Sequence, residues 1–160
     1  MSSFFALLEQ LVALSAPSAL ALQSLLGVTL VQVPNPNGSW QFFEARPPAG
    51  LVARVDYREP GPGATSQRPF LVLELRGAPL HLHDIEGRYG EVQVSDASVH
   101  HPQFIGYWFS VTGHCVAADV DSQTNAVLSV SVDYSKARDP ENASRNCAQA
   151  LWASLPHPEP

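Results

Sequence analysis

Lysine is almost missing from this 160-residue chain, where Lys136 stands alone against eight arginines. The nine basic residues are scattered singly and outnumbered by 15 acidic ones, giving a net charge of −6. A phosphate backbone needs a basic stripe, so nucleic acid is not an expected partner. No run approaches the roughly eighteen apolar residues of a membrane span, so no membrane partner is expected either. Cysteine is scarce: Cys115 and Cys147 are too few for a disulfide framework and too far apart for a zinc knuckle. They read as buried, small apolar thiols in a reducing cytosol, with a disulfide the leading idea only if the protein is exported. There is no G-x-S-x-G nucleophile turn. The glycines of "GPGATSQRP" precede no helix and bring no lysine, which excludes a phosphate loop.

What is present is 45% apolar content over the length of one ordinary domain. Such a chain buries roughly two-thirds of the surface its unfolded form exposes, with no need of staples. A single domain is expected over 1–155, with 156–160 as a loose tail. Fourteen prolines and the preference for arginine suggest a GC-rich bacterial coding bias. The opening "MSSFFALLEQLVALSAPSALA" imitates a secretory signal, but it lacks a positive start, carries Glu9 and Gln10 inside its apolar stretch, and breaks at Pro17. It reads as folded helix, and the protein as cytoplasmic.

Phe4, Leu8, Leu11 and Val12 recur at helical spacing, which predicts an amphipathic helix over 3–14. "SALALQSLLG" predicts a second, with Ser18 before it and Gly27 suited to the left-handed position that ends it. From residue 28 onward, β-branched and aromatic runs alternate with turns. Candidate strands lie at 28–33, 40–45, 51–57, 70–76, 80–84, 91–95, 104–111, 114–120 and 126–134. The connections are too short for crossover helices, so the sheet must be largely antiparallel. Leu71, Leu73 and Leu75 oppose Val72, Glu74 and Arg76; Leu128, Val130, Val132 and Tyr134 oppose Ser129, Ser131 and Asp133. Such alternation marks a sheet dry on one face only. At the C-terminus, Asp139, Pro140 and Glu141 open a helix whose apolar stripe is Cys147, Ala148, Leu151, Trp152 and Leu155. The expected fold is α+β: an antiparallel meander of about 7–9 strands, with N-terminal helices and one C-terminal helix packed on one face.

Two kinds of site compete. On a strand over 80–84, His81 and His83 would face together opposite Leu80 and Leu82, and Glu86, His100, His101 or His114 could complete a metal site. The spacing of Gly77, His81, His83, Glu86 and Gly90 resembles the first metal motif of cupins, over about fourteen residues. Its gaps are shorter than the family pattern, and His114 and Asn125 stand only vaguely where a second motif would be. The resemblance implies a metal-dependent enzyme of β-barrel fold holding zinc, iron or manganese through His81, His83, Glu86 and His114.

The second kind is a surface for another protein. Phe104 and Trp108 oppose Ile105, Tyr107 and Phe109, while Trp40 and Phe42 oppose Phe43, so some large aromatics are stranded on the polar side. Aromatics in an acidic surface are the material of protein-binding hot spots. The candidate partner-binding residues are Trp40, Phe42, Phe104, Trp108, Glu74 and Asp56. The leading expectation is an immunity-type inhibitor of a basic toxin, or an effector chaperone, working without cofactor or catalysis. A small-ligand binder with a pocket between sheet and helices is a third possibility.

Overall fold

The computed structural model describes residues 2–14, 17–35, 39–61, 69–94 and 103–134. Helices α1 (Ser2–Val12) and α2 (Ala19–Leu26) lead into a four-strand meander of β1 (Val31–Val33), β2 (Trp40–Ala45), β3 (Val52–Pro60) and β4 (Phe70–Leu75). Helix α3 (Leu82–Tyr89) then leads into a second meander, β5 (Gln93–Val94), β6 (Phe104–Val111), β7 (His114–Asp121) and β8 (Val127–Asp133). The strands form one antiparallel sheet in the order β1-β2-β3-β4-β8-β7-β6-β5. The two meanders therefore meet through their last strands, and β1 and β5 are the edges. The α+β class and the meander sheet expected from the sequence are both present.

All three helices contribute to a core on one face of this sheet, here called the inner face. Phe4, Leu8 and Leu11 of α1, Leu22 of α2 and Ile85 of α3 pack with Val55, Leu71, Leu73, Phe109, Val116, Val130 and Val132. Ser18 caps α2 by accepting from the Ala21 amide at 3.1 Å, and Gly27 ends it with φ 66°. Two tyrosines then pin the helical layer. Tyr134 donates its hydroxyl to the Leu11 carbonyl at 3.0 Å, and Tyr57 donates to the Pro17 carbonyl at 3.0 Å. Burial pushes the pKa of both phenols up, since an interior disfavours the phenolate. Helix α3 is tied to α1 where Arg88 and Tyr89 both donate to the Glu9 carboxylate, at 2.9 and 3.2 Å. Those hydrogen bonds, Arg88's above all, hold Glu9 below the usual carboxylate range, while burial pushes Tyr89 up to about 12.

Several elements differ from the sequence reading. The expected strand over 80–84 is instead the entry to α3. Asp84 accepts from the His81 amide at 2.8 Å, and Leu82, Ile85 and Tyr89 carry the inward helical spacing. His81 keeps only an isolated bridge to Ala126. The expected strands at 28–33 and 91–95 contract to Val31–Val33 and Gln93–Val94. In β8 the pairing steps from Asp119↔Ser129 to Val120↔Val127, leaving Leu128 as an extra residue. This bulge turns Val127, rather than Leu128, fully inward. Thr112 (φ 47°) and Gly113 (φ 83°) make a two-residue hairpin turn before His114, where the sequence suggested a strand bulge. The C-terminal helix expected after Asp139 lies outside the described residues.

Candidate functional site: the outer face of the first meander

The opposite, outer face of β2–β4 is built by register. Phe42 pairs with Arg58, which pairs with Phe70; Glu44 pairs with Asp56, which pairs with Val72; Arg54 pairs with Glu74; and Trp40 pairs with Pro60. These side chains are partly exposed, whereas their inner-face neighbours Val55, Tyr57, Leu71 and Leu73 are fully buried. The result is a row of aromatic rings beside a row of charges.

Arg54 is the hub of the charges. It reaches Glu44 through a close hydrogen bond, Glu74 at 3.0 Å and Asp56 at 3.8 Å. Its hydrogen bond holds Glu44 below the usual carboxylate range, and that same bond raises the Arg54 pKa. Arg58 binds Asp56 at 3.3 Å and lies over the Phe42 ring at 4.9 Å from its centre. The Nε atoms of both arginines are buried without a hydrogen-bond partner, so the two forks are incompletely used. Chemically, this surface offers flat apolar area, bidentate donors and a slight acidic excess. It gathers no nucleophile beside a base. Beside it, Gln32, Val33, Pro34, Asn35, Trp40 and Gln41 line an open cleft of about 400 Å³, at the β1–β2 end rather than between sheet and helices.

Of the six residues expected to bind a partner, Trp40, Phe42, Asp56 and Glu74 come together here. Phe104 and Trp108 share the outer face but stand on β6, beyond β8 and β7. Trp108 is only 4% exposed, so the expectation that it is displayed outward is corrected. The aspartate and glutamate are not bare: each faces an arginine on the same surface. Sequence reasoning missed Phe70 and Arg58. Their facing was readable from strand alternation, but their position beside Phe42 depends on the register of three strands.

The histidine set does not converge. The His81 and His83 rings stack 5.7 Å apart, and His83, 78% exposed, lies 3.5 Å from Asp84. Glu86 is exposed on α3. His81 bridges Ala126 beside the Asp121 end of β7, whereas His114 begins that strand at its other end. Eight strand residues separate those ends by more than 20 Å, roughly, at ~3.3 Å per residue. Among the described residues, no three or more His, Cys, Asp or Glu side chains are grouped to hold a metal. His100 and His101 lie outside the described residues.

Cys115 is 2% exposed and disulfide-bonded, which corrects the expectation of a reduced thiol there; Cys147 lies outside the described residues. Among the described residues no helix is long and apolar enough to cross a membrane. No family model, curated protein or solved structure matches the chain.

Proposed function

We propose that this chain is a protein-binding domain that works by surface complementarity through the outer face of β2–β4. The reading is carried by one observation: Trp40, Phe42 and Phe70 stand partly exposed on the polar side of a sheet, packed among Arg54, Arg58 and their carboxylates. Aromatic and arginine side chains are the types that dominate binding energy at interfaces. Their placement among charges on the polar face, away from the core, calls for a partner surface.

The net charge of −6 steers the domain toward a basic partner and away from nucleic acid. An immunity-type inhibitor of a basic toxin is the form we favour, with an effector chaperone as the second form of the same reading. The disulfide at Cys115 favours an oxidising compartment over the cytoplasm expected from the N-terminal segment. That suits an inhibitor meeting its toxin outside the cytosol better than a chaperone acting before secretion. The metal-dependent alternative is not carried forward, because its four ligands are divided between the two ends of β7.

A photoreactive amino acid placed at Phe42, at Phe70 and, as control, at Leu20 tests the reading in the cells that make the protein. Leu20 is a suitable control, since it is 72% exposed on α2, across the sheet. Discrete heterologous adducts at the two sheet positions and none at Leu20 are expected. Adducts at Leu20 alone would move the interface to the helical layer.

A further inference from the structure

An exposed edge strand offers its outward N–H and C=O groups to any other chain, so sheet edges are commonly blunted by lysine, proline or a bulge. The edge strand β1 carries none of these devices. It reads Val31-Gln32-Val33, pairs with β2 without a bulge, and among the described residues no strand lies beyond it. Val31 is 63% exposed, and Gln32 is exposed beside it. No Asp, Glu, Lys or Arg occurs between Glu9 and Glu44. The other edge differs: β5 is two residues long, and exposed Glu91 stands two residues before Gln93.

The residue order around Gln32 is self-complementary. Reversing the chain about Gln32 sets Val31 opposite Val33, Leu30 opposite Pro34 and Thr29 opposite Asn35, so apolar meets apolar and polar meets polar. Within β1, Val31 pairs with Glu44 and Val33 with Phe42, which puts both valines on the outer face; Gln32 pairs with Phe43 on the inner side. Charge permits the approach of a second copy, although each carries −6. Glu44, the carboxylate opposite Val31, is already held by Arg54. Across two paired β1 strands it would stand three strand spacings or more, at least about 14 Å, from its own copy, beyond a Debye length of about 8–10 Å.

We propose that two copies of this chain pair antiparallel through β1, about a two-fold axis at Gln32, and join their sheets into one. An antiparallel ladder is symmetric about any directly opposed pair, hydrogen-bonded or not, so the axis is compatible with either phase of β1. Val31 of each copy then packs beside Val33 of the other, as two cross-strand pairs on the outer face. The two Gln32 amides meet at the axis, where each brings a donor and an acceptor for the other. The contact is short, so the dimer is weak and reversible, at the small end of specific interfaces. The proposal rests on the edge and not on the proposed function. Its consequence for that function is that the outer faces of β2–β4 from two copies lie on the same side of one continuous sheet.

Two measurements on the full chain test it. Sedimentation velocity over roughly 10–500 µM should show monomer passing reversibly to dimer. Gln32→Lys and Gln32→Glu should each weaken the dimer at least tenfold, because like charges then meet at the axis, and an equimolar mixture of the two variants should recover it. In a wild-type sample of mixed isotope-labelled and unlabelled chains, intermolecular NOEs should join the Val31 methyls of one copy to the Val33 methyls of the other. A chain that stays monomeric through that range would overturn the proposal. So would a dimer indifferent to both charge variants, or intermolecular NOEs from Val94, which would move the contact to β5. The wild-type NOEs decide the matter should either variant fail to fold.

Discussion

Tyr134→Phe removes one hydroxyl and nothing else from the layer that joins α1 to the sheet. The lost group donates to the Leu11 carbonyl at 3.0 Å, inside the core. Leaving a buried acceptor with no donor costs about 1–3 kcal/mol. The Leu11 carbonyl also accepts from the Leu14 amide at 3.3 Å, so it keeps a partner, and the low end of that range applies. The variant should therefore lose about 1 kcal/mol in urea unfolding at pH 7, or about 2–4 °C in Tm for a chain of this length. The same hydroxyl makes a second, opposite prediction at high pH. Its folded pKa is raised above the ordinary value of 10.0. Its contribution is thus fully present below pH 10 and is lost as the pH rises toward the folded value, because only the unfolded chain releases the proton. That loss approaches about 1.4 kcal/mol per pH unit in the wild type and is absent in the variant. The two stability curves should cross between about pH 10.5 and 11. Curves that stay parallel through pH 11, or a loss of more than about 3 kcal/mol at pH 7, would refute the placement of Tyr134.

The two faces of β4 make a paired test: Leu73→Ala should cost about 2–5 kcal/mol in urea unfolding, and Val72→Ala on the outer face well under half of that. Equal losses would mean that both faces are packed alike. Gly27→Ala places a side chain at φ 66° with no atom within 4 Å, so the cost should be backbone strain alone, about 1 kcal/mol. An unchanged Tm would show that the left-handed cap of α2 does not form. Phe42→Ala/Arg58→Ala should lower stability by no more than about 1.5 kcal/mol while weakening a captured partner at least tenfold in calorimetry, about 1.4 kcal/mol of binding. Unchanged affinity would remove these side chains from the interface.

Strand alternation carried much of this architecture, because a sheet dry on one face writes its core as every second residue. β4 and most of β8 follow that rule, and so do the inward residues of α1 at helical spacing. The same rule set Trp40 and Phe42 opposite Phe43 and put Asp56 and Glu74 on the polar side of their own strands; the register of β2, β3 and β4 then brings the four to one face. It failed at "LHLHD", where five alternating residues are as compatible with a helix start as with a strand. The deciding features lay further on, in Asp84 returning to the His81 amide and in Ile85 and Tyr89 facing inward. It failed again at Leu128, because one extra residue reverses every facing beyond a bulge, and nothing local announces that residue. Phe70, Arg58 and the burial of Trp108 were out of reach for a different reason: each depends on which strands become neighbours, and β4 and β8 are joined across more than fifty residues of chain.

The central claim is that the aromatic and arginine row across β2–β4 meets another protein while the inner face never does. Hydroxyl-radical footprinting of the domain, free and then bound to the partner recovered by crosslinking, tests it most directly. Trp40, Phe42 and Phe70 should react readily in the free domain and become protected in the complex, with Leu20 and Val94 unchanged. Protection at Leu20 or Val94, with the three rings as reactive as before, would contradict the account.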